Sequence, residues 1–135
     1  MSTEPPARIA INSDTDIVAA RAQGRKLAGQ LGFNSTDATV IATAVSEVAR
    51  NIVQHAGQGQ IEFDEVRDQN RVGIRIVARD RGPGIADVEK ALQPGYSTSS
   101  SLGLGLPGAK RLMDAFDIKS EPGKGTTVTM TKWNR

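Results

Sequence analysis

The stretch Val45-Ser-Glu-Val-Ala-Arg-Asn-Ile-Val-Gln-His55 lies inside a long helical pattern, and the rest of the chain is organised around it. Its apolar residues recur at three- and four-residue steps, which predicts a helix with one face turned toward a core. Glu47, Asn51 and His55 recur at four-residue steps and therefore form a polar stripe beside that face. Burying a carboxylate or a carboxamide without a partner is costly. The stripe is therefore either a solvated helix edge or one wall of a binding site.

Length and composition bound the possible functions. The 135 residues suit a single domain (1–135) with one core, and we expect residues 1–7 to form a flexible tail. The chain has no cysteine, which excludes disulfides and thiolate metal sites and suits a cytoplasmic location. No apolar run is long enough to span a bilayer, and the first residues lack the pattern of a secretory signal, so we expect no membrane partner. The net charge of +2 is balanced, and no basic stripe is interleaved with aromatic residues, so we expect no nucleic-acid partner.

Periodicity and turn residues predict an α+β two-layer sandwich, with the helices on one face of a mixed, mostly antiparallel sheet. Helices are expected at 15–31, at 87–92, and from Pro107 onward with Phe116 on its apolar face. A further helix is expected to have Ser35, Thr36 or Asp37 as its cap, to carry apolar residues from 40 to 53, and to end at Gly57 and Gly59. Strands are expected at 8–11, 60–68, 72–80, 118–120 and 126–133, the second and third forming a hairpin. Residues 93–101 are expected to form a loop.

Asp80 falls in phase with the apolar face of the third predicted strand, and Arg81-Gly-Pro-Gly-Ile85 follows it directly. A carboxylate in that position needs hydrogen-bond donors. The glycines Gly82 and Gly84 allow close approach of the backbone. One interpretation is a turn with a satisfied aspartate. The other is a pocket floor, where Asp80 accepts a hydrogen bond from an amino group such as that of adenine and Ile85 packs on the ring.

Glycines also crowd the segment Ser101-Leu-Gly-Leu-Gly-Leu-Pro-Gly108. If they precede a helix that begins at Pro107, free N–H groups and the helix dipole favour an anion such as phosphate. Lys110 and Arg111 could add charge to that site or be solvated. The match to G-x-G-x-x-G is weak because no strand comes before it. A loop that simply enters a helix is the alternative.

Thr126 follows Gly125 and is in phase with Val128 and Met130, so its hydroxyl is expected to face inward toward Asp80. The alternative is an ordinary hairpin turn followed by a threonine that favours a strand.

Taken together, Glu47-x-x-x-Asn51, Asp80-x-Gly82-x-Gly84, a Ser/Thr loop ending in Gly103-x-Gly105, and Gly125-Thr126 resemble the ATP-binding fold of the GHKL superfamily, which includes DNA gyrase, Hsp90, histidine kinases and MutL. The likeness covers nearly the whole chain. Within the superfamily, four segments are similar in sequence to those of small serine/threonine kinases that are also anti-sigma factors, and most of all to those of the stressosome switch kinases. The segments are 16–21, 46–51, 80–85 and 105–113.

The resemblance implies a role for each matching residue. Glu47 would be the catalytic base for a protein hydroxyl, and Asn51 would hold Mg²⁺ against the phosphates of ATP. Asp80 would read the adenine amino group, with Thr126 nearby. The remaining nucleotide-binding residues would be Gly82, Gly84 and Ile85 around the base, and Ser101, Gly103, Leu104, Gly105 and Leu106 around the phosphates, with Lys110 and Arg111 as possible additions.

The implied substrates are small STAS-domain proteins, and a PP2C-type phosphatase or a sigma factor would be a further partner. A nucleotide-gated anti-sigma factor that turns over little ATP is the main alternative. A histidine kinase would need an acceptor histidine on a dimerising hairpin, whereas His55 is expected to be a helix-end residue. Gyrase-type ATPases use a lysine from a further domain, for which this chain has no room. Arg21 and Arg25 are either a partner-binding surface or a solvated pair.

Overall fold

The computed structural model describes residues 7–82 and 100–134, with the backbone alone for residues 100–105. The described helices are α1 (Asp14–Gln30), α2 (Ser35–His55) and α3 (Ser100–Leu112). The described strands are β1 (Ala7–Ile11), β2 (Gly59–Asp68), β3 (Arg71–Asp80), β4 (Ala115–Glu121) and β5 (Gly125–Asn134). The expected helix at 87–92, the expected loop at 93–99, the expected tail at 1–6, and Gly84 and Ile85 lie outside the described residues.

The strands form one sheet in the order β1-β2-β3-β5-β4. Every neighbouring pair is antiparallel, so the expected admixture of parallel pairing does not occur among the described strands. The predicted hairpin is confirmed: β2 and β3 pair over their full length, and Gln69 (φ 55°) lies in the tight turn between them. The predicted α+β class is confirmed as well.

The core lies between the sheet and the helices. Alternation puts Ile61 and Phe63 of β2 and Ile74 and Ile76 of β3 on the same face, where all four side chains are buried. Helix α2 packs against both α1 and α3, and its buried residues recur at helical spacing over most of its length. It is therefore the central element of the helical layer, and the polar stripe runs along its rim.

The opposite face of the sheet carries charged and polar side chains. Glu62 accepts a hydrogen bond from Arg79 at 2.9 Å, and Arg75 pairs with Asp64 at 3.4 Å across the same two strands. This alternation of an apolar and a polar face is the reason that helices cover only one side. No helix in the described part of the chain is both long enough and apolar enough to cross a membrane.

The cap of helix α2 lies one residue before the expected caps. Asn34 is the cap, and its side chain accepts a hydrogen bond from the N–H of Asp37 at 2.8 Å. The expectation that Ser35, Thr36 or Asp37 caps the helix was wrong because Asn34, which precedes them, is equally able to accept that bond.

The C-terminal helix also differs from the prediction. Helix α3 begins at Ser100, so Pro107 lies inside it and Ser101 is helical rather than part of a loop. Burial explains the longer helix: Leu106 lies on the same stripe as Ala109 and Met113, and all three side chains are buried in the core. Phe116 was expected on this helix but lies in β4, opposite Met130 of β5. The helix ends at Leu112, where the chain turns to enter the sheet.

Candidate functional site

The polar stripe on α2 is present and half-buried. Glu47, Asn51 and His55 are each partly exposed, whereas Val48 and Ile52, which follow the first two directly, are buried. With a rise of about 1.5 Å per residue, each step along the stripe covers about 6 Å and the whole stripe about 12 Å. His55 is the last residue of the helix, as the sequence predicted. The stripe thus forms a line of polar groups of roughly the right extent to contact several parts of one extended ligand.

Two atoms of the stripe are buried without a hydrogen-bond partner among the described residues. They are Oδ1 of Asn51 and Nε2 of His55. Leaving such a group unsatisfied costs about 1–3 kcal/mol, so native proteins rarely do so without a reason. A carboxamide oxygen is a ligand that Mg²⁺ accepts. The unpartnered oxygen of Asn51 therefore fits the metal-binding role that the sequence suggested for it.

The described residues contain no cluster of three or more His, Asp or Glu side chains that could hold a metal by themselves. Magnesium often keeps water and binds through one or two protein ligands together with substrate phosphates. A cation at Asn51 would accordingly depend on a phosphate-bearing ligand for most of its coordination.

His55 lies within the electrostatic influence of Asp80. Burial lowers the pKa of His55 below its ordinary value of 6.5, and the nearby negative charge of Asp80 opposes that shift without reversing it. The folded chain therefore binds a proton on this imidazole less readily than the unfolded chain does. This electrostatic interaction acts between the C-terminal end of α2 and the end of β3, where Asp80 is the last residue.

Glu47 forms an ion pair with Arg50, one turn further along α2. Nη1 of Arg50 lies 3.0 Å from Oε1 of Glu47. The two side chains are 42% and 25% exposed, so solvent screens the pair and it contributes little to stability. Its effect is to orient the carboxylate. Oε2 of Glu47 has no hydrogen bond with a described residue and remains able to accept a proton or a hydrogen bond.

Asp80 is anchored by the turn that follows it. The N–H of Gly82 donates to Oδ1 of Asp80 at 2.9 Å, whereas Oδ2 has no hydrogen bond with a described residue. Gly82 itself packs against α2: a Cβ on this residue would meet the Cβ of Ala56 at 2.6 Å. Gly82 therefore makes a close approach to the end of α2, whereas the sequence suggested an approach to a ligand. It joins the Asp80 turn to the helix that carries the stripe.

A row of residues crosses the end of the sheet at Asp80. Gly59 of β2, Asp80 of β3, Thr126 of β5 and Ser120 of β4 lie opposite one another in the strand register. The two glycines next to Asp80 leave no room for a side chain: a Cβ on Gly59 would collide with the backbone of Arg79, and one on Gly125 with the backbone of Asp80. Gly125 also has a φ of +94°, which favours glycine.

Open depressions flank this row. One of about 600 Å³ is lined by Asp80, Ser120, Gly125 and Thr126 among others. A second, of about 570 Å³, is lined by Asp80, Asn12, Gln60 and Arg81 among others. Neither includes Glu47 or Asn51. What brings those two residues toward Asp80 is helix α2, whose last turn packs on the end of β3.

Thr126 lies opposite Asp80, as the sequence predicted, and is 9% exposed. Its hydroxyl lies 2.9 Å from that of Ser120, which in turn donates to the carbonyl of Gly125 at 3.1 Å. The sequence analysis did not identify Ser120. The sequence contains part of the signal: a hairpin whose turn comprises residues 122–124 pairs residue 120 with residue 126.

The predicted phosphate-binding residues lie in α3 rather than before it. Ser101, Gly103, Leu104 and Gly105 fall in the first turns of the helix, and the side chain of Leu106 is buried in the core. Lys110 and Arg111 are exposed and belong to the last turn, about 15 Å from the N-terminus of the helix. That distance separates them from the end of the dipole that favours anions.

Comparison with known proteins identifies the family. The model of the histidine kinase-like ATPase domain matches residues 12–132. The chain belongs to this family.

Within the family, the chain is 50% identical to the serine/threonine-protein kinase RsbT of Bacillus subtilis over 127 residues, which cover 94% of this chain and 96% of RsbT. It is 38% identical to the anti-sigma F factor of Caldanaerobacter subterraneus over 112 residues, which cover 78% of this chain and 77% of that protein. The resemblance read from the sequence is therefore confirmed at the level of the family and of its kinase and anti-sigma members.

A solved structure supports the fold. The mycobacterial sensor histidine kinase MprB superposes with a TM-score of 0.57 at 15% identity, covering 97% of this chain and 99% of that one. The histidine-kinase-like ATPase architecture is thus recognisable in the structure as well as in the sequence.

Proposed function

We propose that this chain is an ATP-dependent protein serine/threonine kinase that phosphorylates small STAS-domain proteins and thereby switches partners in stress or sigma-factor signalling. Half of its residues are identical to those of a protein named a serine/threonine-protein kinase, over nearly the full length of both. Likeness alone does not identify the groups that act, so the argument rests on the site.

The observation that carries the proposal is the unpartnered oxygen of Asn51, one helical turn from Glu47 and one turn from the end of α2 that packs beside Asp80. A nucleotide with its base at Asp80 would extend along the stripe, so that its phosphates come first to Asn51 and then to Glu47. Mg²⁺, if bound there, would supply the positive charge that neutralises the phosphates. Asn51 would be its protein ligand.

Glu47 is assigned to the attacking hydroxyl. The serine or threonine oxygen of the substrate forms a bond to the γ-phosphorus, the bond between that phosphorus and the oxygen bridging to the β-phosphate breaks, and ADP leaves. The hydroxyl proton passes to Oε2 of Glu47, the oxygen that Arg50 does not hold. Phosphoryl transfer depends mainly on positioning and charge neutralisation, so one oriented carboxylate suffices on the protein side.

Asp80 is assigned to the base. Its Oδ1 is occupied by the N–H of Gly82, which leaves Oδ2 to accept from an exocyclic amino group. The half-buried ring of His55 lies at the same end of the stripe. The residues proposed from the sequence to bind the phosphates lie in the α3 segment 101–106. Those proposed to surround the base are Gly82, Gly84 and Ile85.

The experiment is a transfer assay. The purified chain would be incubated with γ-labelled ATP, Mg²⁺ and a panel of STAS-domain proteins, and the label located by mass spectrometry. Labelled serine or threonine on at least one STAS protein is expected, with no label when Mg²⁺ is chelated. ATP binding without transfer to any member of the panel would contradict the kinase assignment, and absence of ATP binding would contradict the nucleotide site itself.

A second candidate function is a nucleotide-gated binder of a sigma factor or a PP2C-type phosphatase, supported by the 38% identity to an anti-sigma F factor. Glu47 distinguishes the two, because binding alone does not need an acid with a free oxygen. Co-purification with a sigma factor that depends on ATP, without transfer to any protein, would favour this alternative. The proposed location is the cytoplasm, which supplies ATP and suits a chain without cysteine.

A further inference from the structure

Ser120 and Thr126 form a hydroxyl pair beside Asp80. The two residues lie opposite each other in β4 and β5, and their oxygens are 2.9 Å apart. The oxygen of Ser120 also lies 3.1 Å from the carbonyl oxygen of Gly125, in hydrogen-bonding geometry. Both residues line the depression of about 600 Å³ that includes Asp80.

The two contacts fix which group donates. A carbonyl oxygen only accepts, so the hydrogen between Ser120 and Gly125 must come from the Ser120 hydroxyl. A hydroxyl has one hydrogen, so Ser120 cannot also donate to Thr126. The hydrogen between the two hydroxyls therefore comes from Thr126. In this arrangement Thr126 has no hydrogen left and presents lone pairs alone.

We infer that Ser120 is a positioning residue for the nucleotide base: by accepting the hydrogen bond that Thr126 donates, it makes Thr126 a second acceptor beside Oδ2 of Asp80. The inference rests on the proposed nucleotide-binding function and adds a determinant of specificity to it. Ser120 acts through Thr126 and is not assigned any contact with the ligand.

The arrangement distinguishes two classes of purine. A 6-aminopurine offers N–H donors at the position that Asp80 reads, and two neighbouring acceptors suit them. A 6-oxopurine such as hypoxanthine offers an acceptor there, whose lone pairs would face those of Asp80 and Thr126. Sites built around hydrogen bonds reject analogues that cannot complete them, because the buried polar groups are left unpaired. If Thr126 could reverse its hydroxyl and donate, part of that rejection would be lost.

The test compares dissociation constants for ATP and ITP, each measured by calorimetry with Mg²⁺, and uses their ratio as the readout. Ser120→Ala frees the Thr126 proton, so we expect the ratio Kd(ITP)/Kd(ATP) to fall about five- to tenfold, the equivalent of about one neutral hydrogen bond. Ser120→Thr keeps a hydroxyl and should keep the ratio. Thr129→Ala, which removes a hydroxyl from the open face of the same strand, is the matched control and should leave the ratio unchanged.

A double-mutant cycle completes the design. In a Thr126→Val background, Ser120→Ala should change the ratio no further, because the inferred effect of Ser120 on the base passes through the Thr126 hydroxyl, which valine lacks. Equal weakening of both nucleotides by Ser120→Ala, with the ratio unchanged, would mean a purely structural role and would overturn the inference. If Ser120→Ala does not fold, Ser120→Cys supplies a weaker acceptor of similar size, and an unchanged ratio there overturns the inference equally.

The outcome also separates this inference from the proposed function. A wild-type chain that binds neither nucleotide would refute the nucleotide site itself. A wild-type chain that prefers ATP, together with a Ser120→Ala variant that retains the full preference, would refute only the assignment of Ser120.

Discussion

Replacing Asp80 with asparagine is expected to weaken ATP binding strongly while leaving the fold intact. Oδ1 of Asp80 accepts from the N–H of Gly82 at 2.9 Å, and Oδ2 is the oxygen left for the base. An asparagine has only one oxygen for these two tasks. Its NH₂ group must face either the amino group of the base or the N–H of Gly82. In both cases two hydrogen-bond donors face each other without an acceptor.

The magnitude follows from the bond that is lost. A hydrogen bond to a charged group contributes about 1.5–3 kcal/mol, so Kd for ATP should rise between about tenfold and about 150-fold. Calorimetry with ATP and Mg²⁺ measures this directly, and thermal unfolding of the unliganded variant shows whether it folds. Asp117→Asn, at an exposed position in β4, is the control and should bind ATP as the wild type does. A folded Asp80→Asn chain with unchanged affinity would remove Asp80 from the pocket.

Three further predictions concern the stripe on α2. Glu47→Ala should retain ATP affinity within about twofold, because the screened ion pair of Glu47 with Arg50 contributes less than about 1 kcal/mol. The same variant should lose label transfer. Transfer at the wild-type rate would exclude Glu47 as the base. Asn51→Ala should remove the Mg²⁺-dependent part of ATP binding without lowering the free energy of unfolding of the unliganded chain, because the buried Oδ1 has no partner to lose among residues 7–82 and 100–134. ATP affinity that still responds to Mg²⁺ would contradict the metal role. The lowered pKa of His55 means that the folded chain takes up its proton less readily than the unfolded chain, so the free energy of unfolding should fall as the pH is lowered through 6.5, and His55→Gln should remove that part of the pH dependence. Because His55 is the only histidine in the sequence, identical pH profiles for wild type and variant would exclude it.

Much of the fold could be predicted because periodicity reports burial. The alternation of Ile61 and Phe63 with charged residues predicted a strand with one buried face, and the structure confirms it. The same reasoning correctly placed Glu47 and Asn51 together at the rim of α2. These patterns are local, so a single sequence contains them in full.

The errors arose where distant contacts decide the outcome. Pro107 is typical of a first helical turn, but burial of Leu106 extends α3 to Ser100 and places the proline inside the helix. Phe116 continues the helical spacing of Leu112 and Met113, yet pairing with β5 draws it into a strand. In both cases the competing conformation is stabilised by residues far away in the sequence, which a local pattern does not contain.

The sequence predicted which types of residue form the candidate site, but it predicted their spatial arrangement only in part. The role of Asp80 in reading an amino group remains a prediction, but its anchoring by Gly82 and its position opposite Thr126 are now geometric facts. Ser120 was missed because a serine in a short strand has no distinctive pattern; only the register of the hairpin reveals that it meets Thr126.

The glycines that flank Asp80 have a consequence for how variation in this chain should be interpreted. Gly59 and Gly125 have no side chain to offer a ligand, yet a single methyl group on either one would displace the backbone next to the aspartate. Substitutions at these two positions would therefore be expected to abolish the response to nucleotide by displacing Asp80, although neither glycine is itself assigned a contact with the nucleotide. In a mutational survey, loss of function on substitution of Gly59 or Gly125 would show that there is no space for a side chain at this end of the sheet. It would not show that either glycine takes part in catalysis or binding.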